Sequence, residues 1–203
     1  VKEMAKYCLA MKKTTKSSNV SNKGGWQSPR LTGEHAPLND LFKEILRVGE
    51  HYRKRIAYKD PLKIDTVWIN INGYKDYNIE HSHNYSVVSG SFYLTPNNSE
   101  IAFLHPASSF LAYDWPSSSL SEHNKYNSAV WKMTPLENQV ILFPGWFKHR
   151  VEPNLNKKEK RISISFNLIS SIELIYISSS YSSINLLVQS IPLNNDIILL
   201  LLL

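Results

Sequence analysis

The stretch VWININGYKDYNIEHSHNYSVVSGSFYLT (67–95) has a repeat of two. Val67, Ile69 and Ile71 alternate with Trp68, Asn70 and Asn72, and Gly73 ends the run. Successive side chains of a strand point to opposite faces, so this pattern predicts a strand with one apolar and one polar face. YNIEHSH (77–83) reads as a second strand and VVSGSFYLT (87–95) as a third. Pro96-Asn97-Asn98 marks a turn after it.

Downstream, EIAFL (100–104), AVWKM (129–133), QVILF (139–143), HRVEP (149–153) and RISISFN (161–167) continue the series. Turn signals at Pro135 and Pro144-Gly145 and the polar loop 154–160 separate them. Residues 105–128, with Pro, Ser and Asn throughout, read as irregular. Many short strands joined by turns predict a mainly β sandwich or barrel. Upstream, Leu38, Leu41, Phe42, Ile45, Leu46 and Val48 form a stripe of helical period over residues 37–57, with Pro37 and Asn39 as start signals. Residues 1–14, with Met4, Cys8 and Met11, predict a short helix.

The chain has 203 residues, room for one domain with a sizeable core. Its net charge of +6 is local. Residues 1–30 hold Lys2, Lys6, Lys12, Lys13, Lys16, Lys23 and Arg30 against Glu3 alone, and the rest is balanced. This predicts a solvated basic leader over 1–30 rather than a nucleic-acid surface. Cys8 is the only cysteine, which forbids an intrachain disulfide and suits a reducing, cytoplasmic setting. The opening VKEMAKYCLAMKK is too short and too charged for a secretory signal. Residues 168–203 are dominated by Leu, Ile and Ser and lack Lys, Arg, Gly and Trp. Their apolar runs are too short to span a membrane. We read them as a low-complexity tail, non-native in origin, appended to a domain over 31–167; an extra β-hairpin is the rival reading.

His81 and His83 sit two apart on a predicted strand, so both rings share a face. His149 follows the Pro144-Gly145 turn. Three neutral nitrogens on one face suit Fe(II), Zn(II) or Cu(II) and leave positions open. In RISISFN, Ile162, Ile164 and Phe166 form one face, and Arg161, Ser163, Ser165 and Asn167 the other. A guanidinium with a hydroxyl two residues on is a carboxylate clamp. Glu80 points away from His81 on a regular strand, and Asn84 and Asp76 offer no carboxylate at the matching position. His35 and His51 read as exposed, His105 and His123 as residues of irregular segments, Phe143 and Trp68 as core, and Trp146 as a packing aromatic.

Residues 68–94, ILFPGWFKHRVEPN (141–154) and RISISFN (161–167), in that order, resemble the 2-oxoglutarate/Fe(II) oxygenases of marine bacteria and phages. SNKGGWQSP (21–29) resembles a segment upstream of the core in the same family. The resemblance implies a double-stranded β-helix, jelly-roll or cupin-like, with the N-terminal helices packed outside. It implies Fe(II) and 2-oxoglutarate as cofactors. His81 and His149 match the metal histidines, Arg161 matches the residue that pairs with the C5 carboxylate, and Ser163 completes an RxS pattern. Asn70 and Tyr93 match strand positions that hydrogen-bond the cosubstrate. His83 stands where Asp is usual. The partners implied are molecular oxygen and an unidentified small-molecule or macromolecular substrate, with no membrane; a homodimer is compatible with the sequence. Two other readings stand beside a hydroxylase-type dioxygenase: a non-catalytic cupin-like module holding Zn(II), and a three-histidine dioxygenase that does not use 2-oxoglutarate.

Overall fold

A computed structural model describes residues 1–18, 20–33, 38–95 and 99–172, together with the backbone of 197–199. Pro37, His35, the turn at 96–98 and most of the tail lie outside the described residues. Helix α1 spans Lys2–Thr14. Two short strands follow, β1 (Asn22–Lys23) and β2 (Trp26–Gln27). Helix α2 spans Leu38–Arg55. Then come β3 (Leu62–Asn72), β4 (Tyr77–His81), β5 (Val88–Tyr93) and β6 (Ile101–Leu104). Residues 105–128, expected to be irregular, contain helix α3 (Ser108–Asp114) and a 3-10 turn at Ser117–Ser119. The series closes with β7 (Val130–Met133), β8 (Gln139–Pro144), β9 (His149–Val151), β10 (Arg161–Ser170) and β11 (Ile197–Leu199).

The strands form two sheets, ordered β1-β4-β9-β6-β7 and β11-β8-β5-β10-β3-β2. Every pairing is antiparallel except β11 on β8. The expected architecture, mainly β with helices outside, is the one observed.

The larger sheet has two unlike faces, and alternation is the cause. Val67, Ile69 and Ile71 of β3 and Ile162, Ile164, Phe166 and Leu168 of β10 turn outward. They pack against Leu38, Leu41, Ile45, Val48 and Tyr52 of α2 and Met4 and Cys8 of α1 in the main core. The inner face carries the alternate, polar set. A smaller core of Ile101, Phe103, Ile141, Phe143 and Phe147, with Tyr93, fills the space between the sheets.

Two segments at the edges of residues 31–167 pack with them. The basic leader is embedded: Cys8 is fully buried, Trp26 is buried, and β2 pairs with β3. Its lysines are the exposed side of a stretch whose apolar residues face the core. Strand β10 runs past Asn167 to Ser170, pairing with β3 to its end. Leu168 is therefore core, and it fills the space that the missing side chain of Gly49 leaves on α2. Leu168→Ala is expected to cost about 2–4 kcal/mol through lost contact and a residual cavity. Chemical denaturation measures it; a cost within ~0.5 kcal/mol, the range of a surface change, would remove Leu168 from the core.

Candidate metal centre and anion cradle

Strand pairing sets His81 and His149 opposite each other on β4 and β9. Their ring centroids are 4.4 Å apart. Strand β4 ends at His81, so His83 does not reach the same place by the pleat of a strand, as its spacing suggested. It lies in the following turn, where its N–H donates to the Gly145 carbonyl at 2.7 Å. That contact needs glycine. A Cβ at Gly145 would run into the Ser86 carbonyl oxygen and come within 2.6 Å of the Ser86 Cβ. The close approach of the two turns brings the His83 ring to 5.0 Å from both other rings.

One ring nitrogen of each histidine lies within 4.8 Å of the other two. Among the described residues this is a group of three imidazoles with no carboxylate. Glu80 points away and faces Arg150 at 3.9 Å, and Asp76 accepts from Gly73 N at 2.6 Å in a distant turn.

Each ring is held through Nδ1. His81 Nδ1 donates to the Ile79 carbonyl at 2.7 Å and His149 Nδ1 to the Phe147 carbonyl at 2.9 Å. His83 Nδ1 donates to Asn167 Oδ1. A ring whose Nδ1 carries the proton presents a lone pair at Nε2. His83 Nε2 is buried and has no hydrogen-bond partner. Burial lowers the pKa of all three rings. His83 is pushed down to about 4, and His149 is lowered further by its two neighbouring imidazoles. Neutral, aligned imidazoles with a free Nε2 are the form a metal ion binds.

Arg161 opens β10 opposite Asn72. Its side chain is 2% exposed. Nη2 donates to Asn72 Oδ1 and Asn78 Oδ1, both at 2.8 Å. Nε and Nη1 are buried without a partner. Burial pulls the guanidinium down to about 10, far enough above neutrality for it to keep its charge. A buried cation with two unused donors is a cradle for an anion. Asn70, Tyr93 and Ser163 line the same space. Asn70 Nδ2 donates to Ser165 Oγ at 3.2 Å, and burial raises the Tyr93 hydroxyl to about 12.

The structure thus gathers all seven predicted site residues around one inner cavity. This cavity measures about 30 Å³ and shares Ser21, Trp68, His81 and His83 with an outer cleft of about 460 Å³. Trp68, expected in the core, faces the cavity, 5.6 Å from the His83 ring. Trp146, expected to pack, is 56% exposed, whereas Phe143 is core. His51 is half-buried rather than exposed, and His105 Nδ1 accepts from Ala107 N at 3.0 Å. The residues that hold the site, Asn72, Asn78 and Asn167, carried no assigned role in the sequence. Their signal was present as amides on the polar side of alternating strands.

A family model described as "Putative 2OG-Fe(II) oxygenase" matches residues 66–167. The fold is similar to that of a Pseudomonas putida prolyl-4-hydroxylase, with TM-score 0.56 and 10% identity over 81% of this chain and 84% of that one. It is also similar to the alpha-ketoglutarate-dependent epimerase SnoN of nogalamycin biosynthesis, with TM-score 0.58 and 12% identity over 83% and 73%. HygX from Streptomyces hygroscopicus, solved with nickel and 2-oxoglutarate bound, gives TM-score 0.54 and 8% identity over 82% and 78%. At these identities the likeness speaks for the fold. No curated protein matches the sequence.

The histidine environment has a pH consequence. The unfolded rings take up protons near the ordinary value of 6.5, whereas folded His83 resists to about 4. The unfolded chain therefore binds more protons in that window. The stability contributed is full above pH 6.5 and is lost as pH falls towards about 4. Denaturation of metal-stripped protein from pH ~7 to ~4.5 is expected to show this loss. His83→Gln, which removes one titrating ring, should flatten the profile; an unchanged profile would contradict the burial of His83.

Proposed function

Because this chain belongs to the 2OG-Fe(II) oxygenase family, we propose that it is a hydroxylase-type dioxygenase whose metal is held by His81, His83 and His149 and whose 2-oxoglutarate is anchored by Arg161 and Ser163. The observation that carries the reading is the placement of unsatisfied groups. His83 Nε2 and the Nε and Nη1 of Arg161 are buried without partners around one cavity, one offering a lone pair to a cation and the other donors to an anion. The donor set fits Fe(II).

When bound, iron and 2-oxoglutarate supply the oxidation chemistry, directing oxygen to a substrate C–H bond. The protein's own residues orient and enclose. The three rings offer neutral nitrogens whose Nδ1 protons are committed elsewhere. Arg161, fixed by Asn72 and Asn78, offers its remaining N–H groups to the distal carboxylate, and Ser163 adds a hydroxyl. Asn70 and Tyr93 line the path between. The inner cavity of about 30 Å³ has room for a water or two, so admitting a dicarboxylate requires its side chains to part.

The primary substrate enters through the outer cleft, beside His81 and His83. Val20, Trp68 and Ile79 give that cleft apolar walls, and Ser18, Gln27 and Asn84 add uncharged polar groups. Its cation, Arg30, is engaged with Asp65 at 2.8 Å. The portion of substrate next to the metal is accordingly uncharged. Among the described residues no helix is long and apolar enough to cross a membrane. Cys8, buried and raised to about 12, is compatible with the reducing cytoplasm in which we place the protein.

His149→Ala is expected to abolish substrate-independent conversion of 2-oxoglutarate to succinate. Arg161→Leu should raise the KM for 2-oxoglutarate on the order of 100-fold or more, the effect of deleting one partner of a buried charged pair. Succinate output from His149→Ala equal to that of the wild type would refute the site.

A further inference from the structure

His83 is supported differently from the other two histidines. His81 and His149 each donate Nδ1–H to a main-chain carbonyl two residues earlier. No substitution deletes those carbonyls. His83 Nδ1 depends on a side chain from another strand, Asn167 on β10, 84 residues later. Asn167 Oδ1 also accepts from Ser89 Oγ at 2.8 Å. Ser89 Oγ lies 3.1 Å from Ser86 Oγ, and Ser86 Oγ donates to the Val88 carbonyl at 2.8 Å. Ser89 gives its one proton to Asn167, so this contact ties the amide to β5, the strand that follows the turn carrying His83.

We propose that Asn167 is the positioning residue that makes His83 a ligand, because its amide oxygen holds the imidazole in the Nδ1–H form and so keeps the Nε2 lone pair free. The proposal rests on the three-histidine reading above. An acceptor at that point admits one tautomer. Without it, the proton can move to Nε2, and the third donor is lost while the ring stays in place. Asn167 also lines the outer cleft, and it reaches the metal site only through His83.

Two variants separate this role from a structural one. Asn167→Leu keeps the branched shape and removes the acceptor. Asn167→Asp keeps an acceptor, and a carboxylate can only accept. The full-length apo protein, with 15N-labelled histidine, reports the tautomer by NMR, and Co(II) titration reports affinity. His83 in the wild type is expected in the Nδ1–H form, with the Nε2–H form appearing in Asn167→Leu. Co(II) affinity should fall about 10- to 100-fold in Asn167→Leu, the usual effect of losing such a partner, and return to at least the wild-type value in Asn167→Asp. In a His83→Ala background, Asn167→Leu should change affinity by less than about twofold.

The proposal is overturned if Asn167→Leu leaves tautomer and affinity unchanged. It is equally overturned if Asn167→Leu weakens cobalt binding as much without His83 as with it, or if Asn167→Asp is as weak as Asn167→Leu. Cobalt binding that survives His149→Ala would instead overturn the three-histidine reading, and the proposal with it. Loss of binding in His149→Ala beside an unaffected Asn167→Leu sinks the proposal alone.

Discussion

Strand β10 lies between β3 and β5, and its two-residue repeat serves two environments at once. Ile162, Ile164, Phe166 and Leu168 belong to the core beneath the helices. Arg161, Ser163 and Ser165 line the cavity, and Asn167 holds His83. A slip of one residue in register would exchange the two sets. The guanidinium would enter an apolar layer, and the isoleucines would fill the cavity. Ten registered pairs with β3 and six with β5 make that slip costly. The site is therefore specified by the same contacts that specify the core.

The second constraint is the approach of two turns. The chain after β4 and the turn between β8 and β9 touch through His83 N–H and the Gly145 carbonyl. Pairing within the smaller sheet fixes His81 against His149. Contact between the turns adds His83. The trio thus draws one residue from a strand end, one from a turn and one from the next strand.

What was legible in the sequence follows from period. Alternation in VWININ and RISISFN gave the strands, their apolar faces and the placing of Arg161 on the cavity side. The helical stripe of α2 was equally plain. Long-range partners were not legible. Nothing local links Asn167 to His83, or Asn72 and Asn78 to Arg161, because those bonds cross between strands far apart in sequence. Trp68 looked like core because an indole between apolar residues usually packs, yet its position on the polar half of β3 turns it inward. The leader looked solvated because its lysines outnumber its buried apolar residues, Met4, Cys8 and Trp26.

Arg161 rests on amides, not on acids. Asn72 and Asn78 accept its protons but carry no charge to cancel its own, and among the described residues no salt bridge engages it. A buried cation that no carboxylate contacts weakens the folded state, whereas an anion that binds only the folded chain strengthens it. On the function proposed above, a dicarboxylate that completes this cradle would be a conformational clamp as well as a reactant, and the resilience of the fold would rise and fall with its concentration.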